Sequence, residues 1–179
     1  MRTSNFISLI LLVFMLSCNH EPSLQKYFVE STEDNDFVAV DLSPSILNID
    51  DKALTAEQKA ALATFDKMNV LAFRLDETNK TRYEAEKTKV TEILKDEKYQ
   101  QLMKFGKGKD GISVSFVGTE DDIKEFVIFA SNQENGFAVA RILGKDMNPT
   151  SIMTMMEAMK HSNVNLEQLK PFQEILTKK

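Results

Sequence analysis

Ile112-Ser113-Val114-Ser115-Phe116-Val117, Glu125-Phe126-Val127-Ile128-Phe129-Ala130 and Phe137-Ala138-Val139-Ala140-Arg141-Ile142-Leu143 decide the fold. Each run is short, rich in β-branched and aromatic residues, and bounded by turn residues. In the first, Ile112, Val114 and Phe116 alternate with Ser113 and Ser115, which predicts a strand with its apolar set inward. Gly118 to Asp122 is a polar turn into the second run. Asn135-Gly136 joins the second run to the third as a hairpin, because both residues tolerate positive φ. The three strands form an antiparallel meander.

Upstream, Phe37-Val38-Ala39-Val40-Asp41-Leu42 is apolar on both faces and reads as a buried strand. Thr55 and Gln58 spell a capping box, which predicts a helix carrying Ala61, Leu62 and Phe65 on one face. Val70 to Leu75 alternates as a strand, with Leu71, Phe73 and Leu75 opposite Arg74. A charged helix follows from about Asn79 to Leu94, with Tyr83, Val90 and Leu94 at helical spacing. Asp96 is placed to cap a short helix through Tyr99, Leu102 and Met103, which Gly106 ends. Downstream, Asn148-Pro149 is an N-cap and N1 pair. Its helix presents Ile152, Met155, Met156 and Met159. Pro171 interrupts a last helical segment near Leu166 to Leu176. These elements predict an α+β domain: a mainly antiparallel sheet of about five strands with helices packed on one face.

The N-terminus has a different character. Arg2 is followed by an apolar run from Ile7 to Leu16, too short to span a bilayer of about 30 Å. Phe14-Met15-Leu16-Ser17-Cys18 resembles a lipobox, although Met15 and Leu16 depart from its common form. The expected organisation is a lipoprotein signal peptide over 1–17, a lipidated tether over 18–23 and a single α+β domain over 24–179. Cleavage falls between Ser17 and Cys18, and Cys18 carries the lipid. The alternative is an ordinary signal peptide cut nearby, leaving Cys18 as a free thiol. Cys18 is the only cysteine, so no disulfide partner exists for it. Two or three acyl chains would make the attachment permanent, at about 0.8 kcal/mol per buried CH₂. Asn19, rather than Asp, follows the cysteine, which favours the periplasmic face of an outer membrane in a Gram-negative cell.

The formal net charge is −5, and loss of Arg2 with the leader lowers it by one. No basic block exceeds two residues, which argues against a nucleic-acid partner. The absence of tryptophan weakens a carbohydrate-stacking role.

Catalytic and ligand-binding patterns are thin. Gly106, Gly108 and Gly111 spell G-x-G-x-x-G, but the string follows a predicted helix and precedes a strand. Dinucleotide binding needs the reverse order, so no nucleotide is expected. His20 and His161 each lack a second ligand at zinc spacing. No G-x-S-x-G elbow accompanies the serines. The acidic groups Asp34/Asp36, Asp50/Asp51 and Glu120/Asp121/Asp122 match no calcium-loop pattern and read as solvated turns. Asp41 lies in an apolar strand, and its simplest role is to cap the Ser43-Pro44-Ser45 turn. No catalytic residue, cofactor or metal is expected, and the chain is not expected to be an enzyme. The methionines remain. Ile152, Met155, Met156 and Met159 form a helical stripe that reads as core packing, while Met153 falls off it. Met147, Met153 and Met156 are the candidate partner surface, because thioethers repack against varied shapes. Copper(I) would also suit thioethers, but no histidine sits close by.

The stretches LQKYFVE, FVAVDLSPSIL, MNVLAF, KYQQLMKFGKGKDGISVSF and GFAVARILGKDMNP resemble the small lipoproteins grouped as domain of unknown function 4252. The resemblance runs from about Leu24 to Leu176. It implies an exported, lipid-anchored α+β domain and supplies no active-site residues. The expected role is a non-enzymatic interaction or accessory domain, anchored to the membrane and meeting an envelope protein. The alternative is a small-molecule or lipid-binding domain using a cleft between sheet and helices.

Overall fold

The computed structural model describes residues 22–44, 54–107 and 110–160. The expected leader, Ser17, Cys18, His20, Asp50, Asp51, His161 and the segment around Pro171 lie outside those residues. The order is α1 (Leu24–Ser31), β1 (Phe37–Leu42), α2 (Ala56–Ala63), β2 (Phe65–Arg74), α3 (Lys80–Ile93), β3 (Gln100–Lys107), β4 (Asp110–Thr119), β5 (Asp122–Asn132), β6 (Gly136–Met147) and α4 (Pro149–Lys160). The strands make one six-stranded sheet in the order β1-β2-β6-β5-β4-β3. Every neighbouring pair is antiparallel. The α+β class and the β4-β5-β6 meander are as expected.

Local signals set the helix starts. The Thr55 hydroxyl accepts from the Gln58 amide at 3.2 Å, and the Gln58 side chain accepts from the Thr55 amide at 3.0 Å, completing the capping box. Asn148 accepts from the Ser151 amide at 2.8 Å and opens α4. In α3, Tyr83, Glu86, Val90 and Ile93 are buried along one stripe.

The sixth strand is the main departure from expectation. Residues 100–107, read as the end of a helix, form β3, and Gly106 pairs with Gly111 across a hairpin instead of ending a helix. The register shifts between Gln101 and Met103, leaving Leu102 as an extra residue. That bulge breaks the period-2 alternation and places Tyr99, Leu102 and Met103 at a spacing that mimics a helix. The G-x-G-x-x-G string thus spans a strand-to-strand connection. Phe65, assigned to a helix face, is the first residue of β2, yet it packs in the same cluster as Leu62. The Phe37–Leu42 strand is an edge strand, and Ala39 and Asp41 are exposed on it.

The sheet's two faces are covered unequally. On one face, α1 and α3 cover Phe37, Leu71, Phe73, Val127, Phe137 and Val139. Phe73 and Phe137 stack at 5.5 Å, and Phe37 meets Phe73 edge-on at 5.1 Å. Helices were expected on one face only and α1 was not anticipated; here α1 and α3 take one face and α2 and α4 lie on the other. On the other face, among the described residues, α2 and the start of α4 cover one end, over Phe65, Phe116, Phe126, Ile142 and Met147.

α1 is clipped to the sheet by polar contacts. Arg141 donates to Glu125 at 2.6 and 3.2 Å and to Gln25 at 2.7 Å, and its guanidinium lies 5.5 Å from the Phe28 ring centre. The Tyr27 hydroxyl donates to Glu86 of α3 at 3.0 Å, and burial pushes that phenol far above its usual range. Arg82 of α3 bridges Asp34 and Asp36 in the loop before β1.

This last contact gives a pH prediction. The hydrogen bond from Arg82, helped by the Asp36 amide, holds the Asp34 carboxyl below its usual value. A depressed carboxyl contributes stability above its unfolded pKa of about 3.9 and loses it as pH falls through the folded value. Between pH 6 and pH 3, the wild-type melting temperature should therefore fall more than that of Asp34→Asn. Parallel melting curves would refute the assignment.

Candidate functional site

The register aligns the part of the second face beyond α2 and α4 into apolar rows, with Ala72 fully buried among them. Phe105, Ile112, Ala130, Ala138, Ala72 and Val38 lie side by side across all six strands. The next row is Met103, Val114, Ile128, Ala140, Val70 and Val40. Neither row contains a polar or charged side chain. Alanines form the floor near the middle, while Phe105 and Ile112 rise at the β3 edge. Phe105 is 61% exposed and Ile112 47%. A sheet face is normally apolar where something packs on it and polar where water does. This surface is apolar, and among the described residues no helix packs on it.

A cleft of about 490 Å³ lies at the far end of these rows, lined by Phe105, Ile112, Ala130 and Ala138 and by glycine backbone from the two hairpin ends. Gly106 makes the narrow hairpin possible. Its φ is +123°, and a Cβ there would sit 2.3 Å from the Asp110 carbonyl oxygen. Polar side chains at the rim brace the turns. Asp110 accepts from the Gln133 amide at 2.8 Å, and Asn132 accepts from the Glu134 and Asn135 amides at 2.8 and 3.0 Å. The cleft therefore offers shape and apolar surface, with its rim carboxylate already occupied.

This site was missed in the alternation of 112–117. Ile112, expected to point into the core, is on the uncovered face, and Ser115, expected to face outward, is buried beneath the α3 side. Period-2 spacing tells which residues share a face, not which face is covered.

The methionine surface needs a matching correction. Met147 is 1% exposed and packs with Ile123, Phe126 and Ile142, so it is core. Its pairing with Ile123 at the end of β6 places it under Ile152 of α4. Met153 is 68% exposed, in keeping with its position off the stripe. Met156 lies in α4, and its side chain is outside the described residues.

The acidic groups serve local contacts. Asp34 and Asp36 bind Arg82, and Asp122 accepts from Lys124 at 2.6 Å. Glu120 and Asp121 line a shallow depression with Glu57 and Asp146 near the start of α4. Asp41 accepts a hydrogen bond from Asn69 across the β1-β2 pair. Among the described residues no group of three or more histidine, cysteine or carboxylate side chains is arranged to hold a metal. A second groove, about 590 Å³, runs between α3 and the β3-β4 hairpin, with Lys87, Lys95 and Lys104 on its walls and Ser113 and Ser115 on its floor.

The model of the domain of unknown function family DUF4252 matches residues 27–155. The chain belongs to this family. No curated protein and no solved structure matches it. The DUF4252 match spans α1 to the start of α4 and so includes both apolar rows and the cleft.

Proposed function

We propose that this DUF4252 domain is a non-enzymatic interaction module of the cell envelope, held on the periplasmic face of an outer membrane by lipid on Cys18. The exposed apolar edge of the rows, at Met103, Phe105 and Ile112, is its docking surface for a protein partner. The single observation behind this reading is the run of apolar positions through Phe105 and Ile112 with no helix over it among the described residues. Large exposed apolar patches on small domains mark interaction sites more often than accidents of folding.

The tether's position suits that role. α1 begins in the same core cluster as Tyr99, and Gln25 reaches Arg141. Tyr99 lies where β3 starts, at the end of the sheet opposite the Phe105 cleft. Phe105 lies six residues on from Tyr99 along β3, about 20 Å at the usual rise. A chain anchored at its start presents the apolar cleft away from the bilayer. Anchoring also raises the effective concentration at neighbouring membrane proteins, so a weak contact suffices. For the alternative, a small molecule bound between sheet and helices, the polar groove beside α3 is the available space.

Two substitutions test the proposal. Cys18→Ala should move the protein from the membrane fraction to the soluble fraction. Phe105→Glu should abolish in-cell crosslinks to membrane proteins while leaving unfolding free energy within about 0.5 kcal/mol, as expected for an exposed position. Undiminished crosslinking by Phe105→Glu would refute the docking surface, and membrane retention of Cys18→Ala would refute the anchor.

A further inference from the structure

We infer that the partner docks as an added strand: an extended segment that pairs with the outer edge of β3 and alternates acidic with apolar side chains. This rests on the proposed interaction role and specifies its chemistry. β3 is the terminal strand of the sheet, and among the described residues it pairs only with β4. Its outward backbone groups are a template for a further strand. Met103 and Phe105 share the face of the apolar rows, and both are exposed. A strand added beside them would lay alternate side chains against Met103 and Phe105, extending the apolar rows by one strand.

The intervening position decides the charge. Lys104 points to the opposite face, beside Ser113, and makes no ion pair among the described residues. Lys95, just past the end of α3, is already paired with Glu92 at 2.6 Å. The other charged residue of β3, Lys107, is also a cation. An incoming strand that carries Asp or Glu between its apolar residues meets Lys104 with opposite charge, a favourable cross-strand pair. A second copy of β3 does the reverse. Antiparallel self-pairing brings cations of both copies onto one short edge, and the bulge at Leu102 interrupts the flat register that such pairing needs. The same features that blunt this edge against its own copy leave it open to an acidic-apolar strand.

The test uses full-chain protein in detergent and three synthetic octapeptides: Glu alternating with Leu and Phe, the same with Lys replacing Glu, and a scrambled Glu version. The alternating Glu peptide should bind at least tenfold more tightly than the other two and slow amide exchange along residues 101–107. Lys104→Glu should reverse the preference between the Glu and Lys peptides, and Phe105→Ala should weaken binding about tenfold with an unchanged melting curve. Equal affinity for the three peptides, protection elsewhere, or a dimer that protects β3 without peptide would overturn strand addition. In-cell crosslinks that depend on Phe105 would, in that event, still support the wider docking role. Loss of both would remove the docking surface itself.

Discussion

Arg141→Ala is expected to cost about 3–5 kcal/mol of folding stability, the penalty for breaking a buried ion pair by removing one partner. Arg141 is 5% exposed and its partner Glu125 is nearly as enclosed. Two nitrogens of the guanidinium engage both oxygens of Glu125, a third contact reaches Gln25, and the plane lies over Phe28. Truncation leaves the Glu125 charge desolvated with no compensating donor, which makes the cost larger than that of a surface pair. α1 should loosen first, because Gln25 and Phe28 are both held through this one side chain. Replacing both partners by leucine should recover most of the loss, since apolar isosteres escape the desolvation cost. Urea unfolding of Arg141→Ala, Glu125→Leu and the double leucine variant measures all three. A single-variant loss below about 1 kcal/mol would show the pair to be solvated.

Gly136→Ala should be the next most damaging change, at about 3 kcal/mol or more. Gly136 opens β6 at φ +122°, a backbone region that side chains rarely enter, and an added Cβ would stand 2.0 Å from the Phe73 carbonyl oxygen. Relief requires the β5-β6 turn to move away from β2. That movement disturbs the stack of Phe73 on Phe137 and the rim of the apolar cleft. The variant should therefore lose both thermal stability and partner crosslinking. A melting temperature within two degrees of wild type would contradict the crowding at this position.

Several helix starts were legible from a local signal, although the Ser23 cap that opens α1 was not read. The Thr55-Gln58 box and the Asn148-Pro149 start depend on a few adjacent residues and form as the sequence implies, and the β5-β6 hairpin forms with positive φ at Gly136 but not at Asn135. The α3 stripe was readable because period 3.6 survives along its length. β3 was not, because one inserted residue at Leu102 replaces a strand alternation with a helix-like spacing. The docking surface was hidden for another reason. Phe105, Ile112, Ala130 and Ala138 come from three different β-hairpin arms and one edge, and only the strand pairing sets them side by side. Alternation could not say which end of that face α2 and α4 would cover. The methionine surface failed at Met147 on the same point, since helical and strand spacing gave no view of what lies above the end of β6.

The most direct test places a photo-crosslinking amino acid at position 105 in the cell, with position 57, on the exposed side of α2 at the opposite end, as the control. Adducts with one envelope protein are expected from 105 and none from 57. Equal labelling from both positions, or none from 105 in protein that remains folded and membrane-bound, would contradict it.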